Sequence, residues 1–190
     1  FRILGIRLSR KFSSFLLIRF GFLFRKKEII KNNILKVFEQ YSDTEIDKLI
    51  KKMWSNYGLT FAEYVFLDKF RFNKLPKSHI EISGEEILVK VKKTGKPVIF
   101  ISAHLANFEI MAMELEKKNI NLAAIYRPLN NFFLNPFMVY LRKKYLCKKQ
   151  VKKGLMGTRE TINYIKNNNS IALMVDQRVG ESERYPFFGV

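Results

Sequence analysis

The sequence is short of most residues that carry familiar chemistry. In 190 residues it has one cysteine, two histidines, one tryptophan and five prolines. A lone cysteine cannot form an internal disulfide. Cys147 lies in Tyr-Leu-Cys-Lys-Lys with no histidine nearby, so it reads as a half-buried thiol in a reducing compartment. There is no His-Glu-x-x-His, no cysteine pair and no glycine-rich phosphate loop, so neither a metal nor a nucleotide cofactor is implied. Ser102 lacks the Gly-x-Ser-x-Gly elbow, which disfavours a serine hydrolase triad. Acids are scarce too: 17 Asp and Glu stand against 35 Lys and Arg, a formal charge of +18.

That excess favours anionic partners, whether phospholipid head groups, a phosphorylated glycolipid, an acidic carrier protein or nucleic acid. The wealth of Lys, Asn, Ile and Phe also points to a biased composition, so part of the charge is a solvated lysine surface. An apolar fraction of 47% excludes global disorder, and the length suits one domain with a proper core. Residues 1–27 carry Arg2, Arg7, Arg10, Lys11, Arg19, Arg25, Lys26 and Lys27 with no acid. Their longest charge-free run, residues 12–18, falls far short of the ~20 apolar residues that span a bilayer. A basic, Phe-rich helix lying in an anionic membrane interface fits better, with packing on the domain itself as the plain alternative.

The chemistry is expected in residues 98–112. The apolar run 98–101 reads as a buried strand, followed by the polar cluster His104, Asn107 and Glu109 where a helix begins. Ligands of open α/β sheets gather at the carboxyl ends of strands. An imidazole there can take a proton from an attacking hydroxyl, and a carboxylate against its far nitrogen fixes the tautomer. Five residues apart on a helix would separate His104 and Glu109 by about 140°. His104 is therefore expected before the helix, Glu109 in its first turn and Asn107 at its cap.

Around this centre the pattern alternates helices and strands. Residues 28–41 have helical spacing, and Ser42-Asp-Thr-Glu45 is a capping box for a stripe from Ile46 to Tyr57. Residues 59–72 are aromatic and either line a lipid-facing groove or pack on the sheet. A short strand is expected at 80–82, then a second capping box, Ser83-Gly-Glu-Glu86, and a helix to Lys93, completing a βαβ unit with the central strand. His79 reads as a surface residue. A third strand ends in Tyr126-Arg127-Pro128, where a guanidinium can hold phosphate. An apolar helix near 132–141, a basic run from Arg142 to Lys153, a helix opened by Gly157-Thr-Arg159-Glu, and a strand at 171–175 follow. That strand delivers Asp176 and Gln177 to the edge that holds His104. Lys153 and Arg159 are further candidate anion holders.

His104-Leu-Ala-Asn107-Phe-Glu109, with Tyr126-Arg127-Pro128, Asp176-Gln177 and Pro186-Phe187-Phe188-Gly189 in order behind it, resembles the bacterial lipid A biosynthesis (late) acyltransferases of the glycerolipid acyltransferase superfamily. The resemblance covers nearly the whole chain. It departs from the commonest form at Ala106, where Gly is usual, and at Phe108, where Trp is frequent; these bear on the acceptor rather than the chemistry.

The resemblance implies an α/β fold with a mostly parallel sheet flanked by helices. Residues 1–27 would form a membrane-associating segment and 28–190 the acyltransferase domain. The family has more chain on both sides, so a fragment with an unpaired, aggregation-prone sheet edge is expected. The implied activity is transfer of a fatty acyl chain from acyl carrier protein to a hydroxyl of a lipid A precursor, at the cytoplasmic face of the bacterial inner membrane. His104 would be the general base and Glu109 its partner, with Asn107, Tyr126, Arg127, Lys153, Arg159, Asp176 and Gln177 on the substrate side. No cofactor and no nucleic acid is implied. The competing readings are an acyltransferase acting on a lysophospholipid or another glycolipid, and a non-catalytic basic module that binds membrane or nucleic acid.

Overall fold

The computed structural model describes residues 1–176, so Gln177 and the Pro186-Phe187-Phe188-Gly189 turn lie outside the described residues. Helix α1 (Gly5–Phe20) leads through a 3-10 turn (Gly21–Leu23) to α2 (Lys27–Leu35) and the 22-residue α3 (Asp43–Tyr64). The capping box at Ser42 forms: its Oγ accepts the Glu45 N–H at 3.4 Å, and its own N–H donates to Glu45 Oε2 at 2.8 Å. Two donors that the helix leaves unpaired are thereby satisfied. Ile46 and Ile50 of α3 then pack on Ile30 of α2. Helix α2 stops earlier than its periodicity suggests, and the chain turns at Phe38 and Tyr41, whose rings stack 4.7 Å apart.

Small residues bring α1 onto α3. Ser9 and Ser13 are buried, and Ser14 Oγ meets Ser55 Oγ at 2.8 Å. A Cβ added to Gly58 would come 2.5 Å from Ser14 Cα. With its small face turned inward, α1 leaves Leu8, Phe12 and Phe15 exposed. Among the described residues no helix is long and apolar enough to cross a membrane.

Helix α4 (Leu67–Arg71) places Phe66, Leu67 and Phe70 in a core shared with Ile6, Met113 and Leu146, so much of the aromatic segment 59–72 packs inside. Two expectations fail before the sheet. Among the described residues, 80–82 pair with no strand; Ser78 Oγ donates to the Ile80 carbonyl instead. The short segment Ile80-Glu81-Ile82 needs a neighbouring ladder for its backbone groups, and none is adjacent among the described residues. Helix α5 (Glu85–Lys93) forms, but its cap is Gly84 in the left-handed region at φ 76, with no side-chain capping bond from Ser83. Glu85 and Glu86 in its first turn still suit the helix dipole.

The sheet comprises β1 (Ile99–Ser102), β2 (Leu122–Tyr126), β3 (Lys149–Lys152) and β4 (Ser170–Met174). Between them run α6 (Glu109–Lys117), α7 (Leu134–Leu141) with a π-helical turn (Arg142–Leu146), and α8 (Leu155–Lys166). All pairs are parallel, in the order β1-β4-β2-β3, so the expected α/β architecture holds. Strand β3 hides in the basic run: Val151 is buried while Lys152 is exposed, and lysines on an edge strand discourage pairing with another chain.

Among the described residues, strand β1 is the other edge and is not buried on both faces. Phe100 packs toward α6, while Ile99 and Ile101 are 55% and 65% exposed. Tyr164 and Ile165 of α8 cover Ala123, Val151 and Ile171, on the three other strands. Cys147 is fully buried rather than half-buried, its thiol donating to the Leu122 carbonyl at 3.2 Å. Burial pushes its pKa up to about 11. His79 is half-buried rather than a plain surface residue, edge-on to Phe70 and 3.2 Å from Arg10 Nη1.

Candidate active site

Because every strand runs the same way, their carboxyl ends share one edge. His104 follows β1, Tyr126 ends β2 with Arg127 behind it, Lys153 follows β3, and Asp176 follows β4. Strands β1 and β4 are neighbours, and this adjacency joins residues 72 apart in sequence. Asp176 Oδ1 lies 2.6 Å from His104 Nδ1, and Asp176 Oδ2 accepts the His104 backbone N–H at 2.7 Å. The hydrogen bond from the imidazole, then that from the backbone N–H, hold the Asp176 carboxyl below the usual carboxylate range. An ionised carboxylate only accepts, so the proton between the two groups sits on Nδ1. Nε2 is then the basic nitrogen of the ring. Phe108 fixes the ring from the side, edge-on with centroids 4.4 Å apart.

The expected pairing of His104 with Glu109 is replaced by this one. Glu109 does open α6, but its first turn aims the carboxylate inward. Tyr64 of α3 donates its hydroxyl to Oε1 at 2.6 Å, and Arg142 Nε reaches Oε1 at 2.9 Å and Oε2 at 3.1 Å, with Arg142 Nη2 also on Oε1. Burial, and then the Glu109 charge, push the Tyr64 pKa far up and keep its hydroxyl a donor. Burial works against the Arg142 cation, but its bonds to Glu109 hold the guanidinium above its ordinary value. The same guanidinium stands 5.6 Å from the centre of the Tyr126 ring. Its Nη1 is buried with no hydrogen-bond partner among the described residues.

A cavity of about 800 Å³ opens at this edge, within the range that holds a small organic ligand. His104, Glu109, Arg127, Arg142 and Lys153 are its ionisable lining; Ala112, Ala124, Leu146 and Ala172 are apolar lining deeper in the fold. The cavity thus gathers His104, Glu109, Tyr126, Arg127 and Lys153. Arg159 is exposed on α8 and is not among the lining residues. Arg142 was legible only as the first base of a basic run, and Tyr64 only as a member of an aromatic helical segment. Nothing in the sequence marked either as a partner of Glu109.

Asn107 is not the cap of α6. The helix begins from Phe108 without a side-chain bond, and Asn107 Nδ2 donates to Glu63 Oε2 at 2.7 Å. Glu63 is itself buried and accepts from Arg10 Nε of α1 at 2.7 Å. A chain of charge-assisted bonds therefore runs from α1 through α3 to the loop that carries His104. In that loop Ala106 has φ 47, a left-handed conformation that glycine adopts without strain.

No curated protein matches the chain. The family model described as bacterial lipid A biosynthesis acyltransferase matches residues 1–190. The chain therefore belongs to the bacterial lipid A biosynthesis acyltransferase family, whose members are acyltransferases, and the acceptor the family implies is a lipid A precursor.

Proposed function

We propose that this acyltransferase moves a fatty acyl chain from the thioester of acyl carrier protein to a hydroxyl of the lipid A precursor, with His104 as general base and Asp176 as the group that orients it. The observation that carries the reading is the 2.6 Å contact between His104 Nδ1 and Asp176 Oδ1 at the mouth of the cavity. Nε2 takes the proton as the acceptor oxygen attacks the thioester carbonyl. The resulting oxyanion is met by a cation, for which Arg142 Nη1, buried in the cavity wall, is the candidate donor. Collapse expels the carrier thiolate, which regains the proton from the imidazolium, so no covalent acyl-enzyme forms.

In this reading Glu109 is the anchor of Arg142 and of the start of α6, and reaches His104 only through them. Arg127 and Lys153 meet the phosphates of the acceptor at the cavity mouth, and the apolar lining takes the acyl chain. The basic surface supports an acidic carrier as donor, and the outward Leu8, Phe12 and Phe15 with the basic residues of 1–27 support α1 lying in an anionic membrane interface. Asn107 serves the loop rather than the substrate, and Arg159 has no place at the cavity. The test uses full-length protein in membranes with acyl carrier protein thioester, offered a tetra-acylated lipid A precursor or a lysophospholipid. Transfer to the precursor alone, abolished by His104→Ala, is the expected result. Equal transfer to the lysophospholipid, or transfer that survives His104→Ala, would overturn it.

A further inference from the structure

Residues 128–141, which enter and form α7, contain no charged side chain, and α7 buries none of its residues. Phe132 and Phe133 are 82% and 85% exposed, with Leu134, Phe137 and Tyr140 exposed beside them. An exposed apolar ridge of this kind marks an interaction surface. The charge around it narrows the partner. From residue 117 to 159 the chain carries eleven Lys and Arg and no acid, so the uncharged ridge is flanked in sequence by cations only.

The backbone of the ridge is satisfied from within. Asn131 Oδ1 accepts the N–H groups of Phe133 and Leu134, each at 3.0 Å, and Asn135 Oδ1 accepts the Leu129 N–H at 2.9 Å. Free donors at a helix start would oppose entry into hydrocarbon, and these three are already paired. Apolar tips, paired backbone and a cationic flank together match an anionic lipid surface. An acidic protein would find its complement in the lysines, and would leave an uncharged run of this length unused. Leu129 and Asn130 also line the cavity, so the ridge borders its mouth.

We propose that α7 and the turn before it insert into the interfacial region of an anionic bilayer, seating the cavity mouth among the lipid head groups. The inference rests on the proposed function, since an amphiphilic acceptor could then enter without crossing water. Vesicle binding is measured without turnover, so the two readings can fail separately.

The test places an environment-sensitive fluorophore on Phe133→Cys in the full-length protein, with Glu86→Cys on α5 as the control site. Burial of Cys147 and its raised pKa leave the native thiol unlabelled at neutral pH. Phosphatidylglycerol vesicles should shift the emission at 133 to the blue and raise it several-fold, while lipid-borne quenchers reverse the gain. Phosphatidylcholine vesicles should do little, and the label at 86 should report water throughout. Replacing Phe132, Phe133 and Phe137 together by Ser should weaken binding at least tenfold. Three results would overturn the proposal: a label at 133 that stays aqueous on vesicle-bound protein, one already blue without lipid and unchanged by it, or one that responds to acyl carrier protein and not to vesicles.

Discussion

Asp176 and Glu109 are the two carboxylates of the site, and their surroundings predict different costs for losing them. Glu109 is buried and is the counter-charge of the buried Arg142. Glu109→Gln should therefore destabilise the fold by ~3–5 kcal/mol, the usual cost of stranding one member of a buried pair, seen as a lower denaturant midpoint. Asp176 is partly exposed, so Asp176→Asn should change stability by less than ~1 kcal/mol. Ala106→Gly should be neutral to stabilising by up to ~1 kcal/mol, because relief of a left-handed alanine outweighs the extra freedom glycine has when unfolded. The motif around His104 was legible because its parts are local. Its partner was not, because only the adjacency of β1 and β4 in the sheet order brings residue 176 beside residue 104.

The helices most firmly written in the sequence were those with local punctuation, as at Ser42 and Glu45. Elements defined by distant neighbours were harder to read. Strand β3 exists because β2 lies beside it, pairing Ile125 with Val151, whereas Ile80-Glu81-Ile82 has no such neighbour among the described residues and stays outside the sheet. The close seat of α1 on α3 was equally hidden, since a glycine in mid-helix does not say what approaches it. A methyl group at position 58 would meet Ser14 Cα at 2.5 Å and the Ser13 carbonyl at 2.6 Å, and neither can swing aside as a side chain would. Gly58→Ala should thus cost ~1–3 kcal/mol by thermal unfolding. It should also lower activity more than stability alone explains, because lifting α1 pulls Arg10 from Glu63 and loosens the Asn107 loop.

At the scale of the whole molecule, the parallel sheet turns scattered residues into one site, and Arg127, Arg142 and Lys153 line it in a chain whose formal charge is +18. Stability should depend on pH through His79. Burial, then the charges of Arg10 and Arg7, lower its pKa below the ordinary 6.5, and Glu63 only partly opposes them. The unfolded chain therefore binds this proton more readily, so the contribution of His79 is complete above about 6.5 and is lost as the pH falls through the folded value. Unfolding midpoints between pH 5 and 8 should show this loss, and His79→Gln should flatten it. The most direct test of the account is single-turnover acyl transfer to the lipid A precursor by Asp176→Asn, with the unfolding midpoint measured on the same preparation. The rate should fall by ~10²–10⁴-fold at an unchanged midpoint, as expected when a general base loses the group that sets its tautomer. Wild-type transfer by Asp176→Asn, with Glu109→Gln inactive at full stability, would contradict it and restore Glu109 as the partner of His104.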